Sequence, residues 1–230
     1  MKGYELLDYI LKSESLDKKC TIKNAGPSQD KTEFHFFKES TIWLNEKTYN
    51  GLLPEDYRVA THEAGHLYNN VHHWYWILLF KVLRALCFLS IISLFGSVLI
   101  QLWNSYDTLS NKTLYLLMGI FTLLSVVFMI VINVDEELAN TCGKKLLNKH
   151  FQTASAQYNT TIPIARVLDE YKTSKTNFFQ HKYTRMFLIM MVMINGNTYL
   201  VTLMLPLDIV LFCIGASSVS VVFIMVKKIL

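Results

Sequence analysis

From Ala85 to Trp103 the chain reads ALCFLSIISLFGSVLIQLW, nineteen residues without a charge. As a helix rising 1.5 Å per residue, that stretch covers roughly 28 Å, the depth of a bilayer's hydrocarbon layer. A second such stretch, TLYLLMGIFTLLSVVFMIVINV, runs from Thr113 to Val134. The connector NSYDTLSNK is too short for anything but a tight turn, so these two segments form a membrane hairpin. Met186–Leu205 and Leu207–Val226 form another, hinged at Pro206, which lacks the amide hydrogen that helix continuity needs. Asn195, Gly196 and Asn197 interrupt the third segment, and amides at that depth need partners inside the helix bundle.

The charges describe the remainder. Residues 85–134 contain only Asp107 and Lys112, and residues 186–226 only Asp208, out of 22 Lys and Arg and 18 Asp and Glu in the chain. The other regions have the charge density of an ordinary soluble domain, about a quarter of their residues. A uniformly soluble globule is therefore excluded, and so is a chain that is all membrane. Two hairpins return residues 1–84, residues 135–185 and the Lys227-Lys228 tail to one side. Lys112 is the one basic residue expected on the other side, so the positive-inside rule puts the polar regions in the cytoplasm of a multi-pass protein of the cell membrane. Residues 1–25 lack the apolar core of a secretory signal. Cys20, Cys87, Cys142 and Cys213 are scattered without paired spacing, which suits a reducing compartment. The net charge of +4 comes without a basic cluster interleaved with aromatics, so no nucleic-acid partner is expected.

The expected fold is a mainly α membrane protein with about four transmembrane helices in two hairpins and a cytoplasmic zincin-like α+β region. Residues 1–73 form a cytoplasmic region with short strands and a metal-binding helix, and residues 74–134 the first hairpin. Residues 135–185 form a cytoplasmic helical region, and 186–230 the second hairpin and basic tail. Within the first of these, a helix is expected from about Tyr4 to Lys12, followed by a polar turn region around Asn24–Lys31 that contains Gly26-Pro27. Alternating runs at Glu33–Phe37 and Thr41–Leu44 read as short strands. Pro54, with Glu55 and Asp56 behind it, opens a helix whose apolar face is Tyr57, Ala60, Ala64, Leu67 and Val71.

An adjacent face of that helix carries His62-Glu63-Ala64-Gly65-His66. Positions i and i+4 share a helical face, so both imidazoles can reach one Zn²⁺ at about 2.0–2.1 Å. Glu63 stands beside them, placed to take a proton from zinc-activated water rather than to bind the metal. The plainer reading is two packed or solvated histidines on a helix. A catalytic zinc needs a third protein ligand, and two candidates exist. His72 follows His66 at the spacing H-E-x-x-H-x-x-G-x-x-H, with Asn69 in the glycine position. It also directly precedes His73 and the interfacial aromatics Trp74-Tyr75-Trp76. The other candidate is Asp135-Glu136-Glu137-Leu138-Ala139-Asn140, expected to open a helix just after the second span. Glu136 and Asn140 are i and i+4, so one can bind metal while the other hydrogen-bonds a ligating imidazole. Acidic residues at a helix start can also simply favour its dipole.

THEAGH, then a membrane hairpin, then E-E-L-A-N with K-K-L-L beyond it, resembles the integral-membrane gluzincins, the group of the CAAX prenyl endopeptidases and stress-induced membrane proteases. Closer is the resemblance to small bacterial membrane-embedded neutral zinc metallopeptidases, in which a segment like FFKESTIWLNEKTYNG at 36–51 precedes the zinc helix and E-x-x-A-S/N follows the hairpin. The likeness runs from Tyr4 to Leu147, and more weakly over NTYLVTL at 197–203. It implies His62 and His66 as zinc ligands, Glu63 as general base and acid, and Glu136 as third ligand. An amino-terminal membrane segment found in many relatives is missing from the sequence. Asn140 stands where the prenyl-protease pattern has an acid, and an amide accepts the imidazole proton without adding charge.

The resulting expectation is a zinc metalloendopeptidase that hydrolyses peptide or membrane-protein substrates at the cytoplasmic surface of the lipid bilayer. The strand Thr41–Leu44 is a candidate to pair with an extended substrate. His150, Arg166, Tyr171 and His181 are candidates to stabilise the oxyanion. The alternative is a metal-binding membrane protein with a regulatory or structural role and no proteolytic activity. A transporter has only Asn195 and Asn197 in its favour.

Overall fold

The computed structural model describes residues 1–35, 38–103 and 111–173, together with Leu188, Ile189, Val192 and Asn195. The chain divides into two compact units, Met1–Ile77 with Val134–Lys175, and Leu78–Asn133 with Thr176–Leu230. The described residues are mainly helical, with one small sheet.

The first unit begins with helix α1, Gly3–Ser13. Leu6, Leu7, Ile10 and Leu11 recur at helical spacing and are all buried. After a 3-10 turn at Asp17–Lys19 come β1 (Cys20–Asn24), β2 (Lys31–Glu33) and β3 (Ser40–Leu44). The sheet order is β1-β3-β2, with β3 parallel to β1 and antiparallel to β2. In β3, Ser40, Ile42 and Leu44 point inward and their neighbours do not, the period-two pattern of a half-buried strand. The expected strand at Thr41–Leu44 is therefore present, but both its edges are already paired, so it cannot accept a substrate strand. The expected strand at Glu33–Phe37 lies earlier, at Lys31–Glu33, and Phe36 and Phe37 fall outside the described residues. Asp30 ties the start of β2 to the end of β3 by accepting from the Asn45 amide at 2.8 Å.

Asn45 caps the short helix α2, Glu46–Asn50, its Oδ1 accepting from the Thr48 amide at 2.8 Å. Helix α3, Pro54–His72, starts at the proline, and Asp56 in its first turn accepts from the Leu53 amide at 2.9 Å. Tyr57, Ala60, Ala64 and Leu67 are fully buried, as the apolar spacing requires. They join Leu6, Ile10, Ile42 and Leu44 in one core, completed by Leu146, Leu147 and Phe151 of helix α5, Asn111–Gln157, and by Val167 and Tyr171 of helix α6, Ile164–Thr173.

Helices α4 (Trp74–Trp103) and α5 (Asn111–Gln157) run from one unit into the other. Both contain stretches long and apolar enough to cross a membrane, Trp74–Leu94 in α4 and a stretch beginning at Tyr115 in α5. In the second unit, Phe80 packs on Phe128 with ring centroids 5.1 Å apart, and Leu94 packs with Phe121. Contacts that descend α4 ascend α5, so the two helices are antiparallel. Leu89 and Leu123 are 57% and 65% exposed, among many large apolar side chains on the outer faces. Such a surface suits lipid and is far more apolar than soluble proteins leave open. Asn195 Nδ2 donates to Thr122 Oγ1 at 2.8 Å. The expected second hairpin, with Cys213 and the 197–203 segment, otherwise lies outside the described residues.

Where the sequence suggests a new helix opening at Asp135, the structure has none: α5 continues through Val134-Asp135-Glu136 without a break. No proline or glycine interrupts it there, and Gly143 is interior to the helix. Asp135 and Glu137 thus have no helix N-terminus to favour.

Candidate metal centre

In the first unit, α3 and α5 cross backbone against backbone. A Cβ placed on Gly65 would lie 2.1 Å from the Ala139 carbonyl oxygen and 2.8 Å from the Gly143 nitrogen. On Gly143 it would lie 2.7 Å from the Thr61 carbonyl oxygen and 2.5 Å from the Tyr171 hydroxyl. Glycine is required at both positions by this approach, with no unusual backbone angle involved. Tyr171 braces the crossing from α6, its hydroxyl 2.7 Å from Thr61 Oγ1 and donating to the Arg58 carbonyl at 3.2 Å.

So close a crossing lets short side chains meet. His62 Nε2 is 3.3 Å and His66 Nε2 3.8 Å from Glu136 Oε2. One ligand atom from each of these three residues lies within 4.8 Å of the others. Ligands about 2.05 Å from a tetrahedral zinc stand roughly 3.4 Å apart, so the three need only a small contraction to hold one ion. The imidazoles meet edge to face at 82°, with centroids 4.7 Å apart.

The far nitrogens are held as well. Asn140 Oδ1 lies 2.9 Å from His62 Nδ1, and Asp135 Oδ2 lies 3.3 Å from His66 Nδ1. An amide oxygen and a carboxylate can only accept, so both Nδ1 atoms carry hydrogen, and both Nε2 atoms are turned to the Glu136 side, where they can ligate a cation once free of a proton. Orienting partners of this kind usually accompany ligating histidines. The chemistry of the donors also fits a divalent cation. Burial disfavours a charged His66, yet Asp135, Glu136 and Glu63 overcome it and raise its pKa well above the ordinary value. The surrounding carboxylates thus favour positive charge at this spot.

Glu63 is 6% exposed and stands outside the converging trio. Burial raises its carboxyl pKa, against the opposing pull of His66, His62 and a hydrogen bond from Thr32. Thr32 Oγ1 lies 2.7 Å from Glu63 Oε2 and 3.1 Å from the Glu63 carbonyl. The trio is not sealed off: the His62 and Glu136 side chains are 15% and 27% exposed, leaving room for a further ligand from solvent.

The structure thus brings together His62, Glu63, His66, Glu136 and Asn140, all singled out from sequence. It leaves out His72, which is exposed, stacks on Tyr68 at 4.1 Å and has its Nδ1 2.8 Å from the Tyr68 carbonyl. Among the oxyanion candidates, Tyr171 is committed to the helix crossing, His150 is paired with Glu14, and Arg166 is exposed. His181 lies outside the described residues. Asp135, which meets His66, and Thr32, which meets Glu63, are not singled out by the sequence. Asp135 precedes Glu136 and resembled a helix-start acid; Thr32 lies in a three-residue polar strand and carries no local signal. The small residues Thr61 and Gly65 on α3, and Ala139 and Gly143 on α5, each four apart, are the signal of a close crossing. No family model, curated protein or solved structure matches the chain.

Proposed function

We propose that this chain is a zinc-dependent membrane endopeptidase, akin to the small membrane-embedded zinc metallopeptidases that its motifs resemble. The observation that carries the reading is the convergence of His62, His66 and Glu136 donor atoms within 4.8 Å, with buried Glu63 beside but outside them. Zinc bound there would polarise a peptide carbonyl and bring the pKa of water towards 7. His62, His66 and Glu136 would hold the ion, and Asn140 and Asp135 would fix the ring orientations. Glu63, its pKa raised by burial, suits a group that accepts a proton and returns it to the leaving amine near neutral pH. β3 being occupied on both sides, the free sheet edge nearest Glu63 among the described residues belongs to β2. The reading takes peptide or membrane-protein substrates at the cytoplasmic face; the apolar helices and the position of Lys112 after the first span support that choice.

The test uses the full chain purified in detergent, with zinc measured by mass spectrometry and cleavage followed on a mixture of internally quenched peptides. Wild type should carry one zinc per chain and cleave; Glu63→Gln should keep the zinc and lose about 100-fold or more in kcat. Undiminished cleavage by zinc-loaded Glu63→Gln refutes the proposal.

A further inference from the structure

β2 pairs with β3 in the register Lys31 to Trp43, Thr32 to Ile42 and Glu33 to Thr41. Alternate side chains of a strand face opposite ways. Lys31 and Glu33 pair with each other at 2.7 Å on one face, and Thr32 turns to the other, towards α3. Its Oγ1 touches the Glu63 residue twice, at the carboxylate and at the backbone carbonyl, 2.7 and 3.1 Å away. The hydroxyl has one hydrogen to donate, and the shorter contact takes it. A glutamate side chain has three rotatable bonds, and mid-helix it would otherwise sample several rotamers. Here Oε2 is tied to a strand of the sheet, Oε1 is the less committed oxygen, and the side chain is buried.

We infer that Thr32 is a positioning residue for Glu63, pinning Oε2 so that Oε1 is the oxygen that exchanges a proton with the reacting groups. The inference rests on the endopeptidase reading. A misplacement of about 1 Å in a reacting group can cost roughly 100-fold in rate while leaving binding intact. The Thr32 side chain contacts Glu63 and no metal ligand, and only the backbone of β2 is offered at the free edge, so loss of the hydroxyl should appear in kcat rather than in KM.

The experiment compares wild type, Thr32→Val, Thr32→Ser and Glu63→Gln as full chains, measuring zinc content, thermal unfolding, kcat and KM on one quenched peptide. Valine keeps the shape and removes the hydroxyl; serine keeps the hydroxyl and removes the methyl. Thr32→Val should lose about 10- to 100-fold in kcat with KM within about twofold and zinc unchanged, and Thr32→Ser should stay within about threefold of wild type. An inactive Glu63→Gln beside a Thr32→Val as fast as wild type overturns the positioning role and leaves the endopeptidase reading standing. Equal impairment of the valine and serine variants overturns it too, since the hydroxyl would then be irrelevant. An active, zinc-loaded Glu63→Gln removes the endopeptidase reading, and Thr32 then has no proton acceptor to position.

Discussion

Replacing a glycine inside a helix by alanine ordinarily stabilises the protein by about 0.5–1 kcal/mol, because the unfolded chain has less freedom to lose. At Gly65 the sign should reverse. The new Cβ would sit 2.1 Å from the Ala139 carbonyl oxygen. Carbon and oxygen tolerate about 3.3 Å at closest, so α3 and α5 must separate by roughly 1 Å. Overpacking of this kind costs about 1–3 kcal/mol, which outweighs the helical gain. The displacement also enters the metal centre directly, because His62 and His66 ride on one helix and Glu136 on the other. The His donor atoms start 3.3 and 3.8 Å from Glu136 Oε2, against about 3.4 Å along the edge of a zinc tetrahedron, and a further ~1 Å turns a small contraction into one of about 1 Å or more. Gly65→Ala should therefore bind zinc about 10- to 100-fold more weakly in a chelator competition, and unfold several degrees lower. Gly119→Ala is the control: it is also helical, but its added Cβ meets nothing within 4 Å, and it should keep its zinc. A Gly65→Ala protein with wild-type zinc affinity and unfolding temperature refutes the crossing as the determinant of the site.

Asn140→Ala should weaken zinc binding about 10- to 100-fold by releasing His62, whereas Asn140→Asp should strengthen it by placing a charge on the same ring; chelator competition reads both. His72→Ala should leave zinc stoichiometry unchanged, because His72 spends its contacts on Tyr68, and loss of metal would restore it as a ligand. Glu14 links α1 to Lys149 and His150 of α5. Burial opposes its ionisation, but the bonds from Lys149 and His150 prevail and lower its pKa below the ordinary 4.5. Its stabilising contribution is accordingly present above that value and lost as pH falls through the lower folded-state pKa. Glu14→Gln should lower stability by about 1–3 kcal/mol at pH 7 in denaturant titrations, with the difference from wild type shrinking below pH 4.5. A gap that persists in acid contradicts this.

The elements with strong periodicity are legible in the sequence. Pro54 with Glu55 and Asp56 marked the start of α3, and Tyr57, Ala60, Ala64 and Leu67 marked its buried face. The apolar runs marked α4 and the first part of α5. His62, Glu63 and His66, and separately Glu136 and Asn140, are legible because helical spacing and motif chemistry both act over four residues or fewer; that the two sets meet across 70 positions is implied only by the resemblance. What failed was non-local. β1 is invisible in CTIKN because only Cys20 is buried and its ladder depends on parallel pairing with β3, some twenty residues on. Thr32 matters only through Glu63, 31 positions away. Asp135 was misjudged because charge after an apolar run resembles a boundary, while a helix with no breaking residue simply continues.

The Gly65 crossing also has a genetic consequence. Most overpacked sites can be relieved by trimming the neighbour that is struck, and so acquire suppressors. Here the atom struck first is the carbonyl oxygen of Ala139, which every amino acid possesses. Ala139→Gly cannot move it, and no side-chain change on α5 can. Second-site revertants of Gly65→Ala should therefore be absent from position 139, and true reversion to glycine should dominate any selection for restored function.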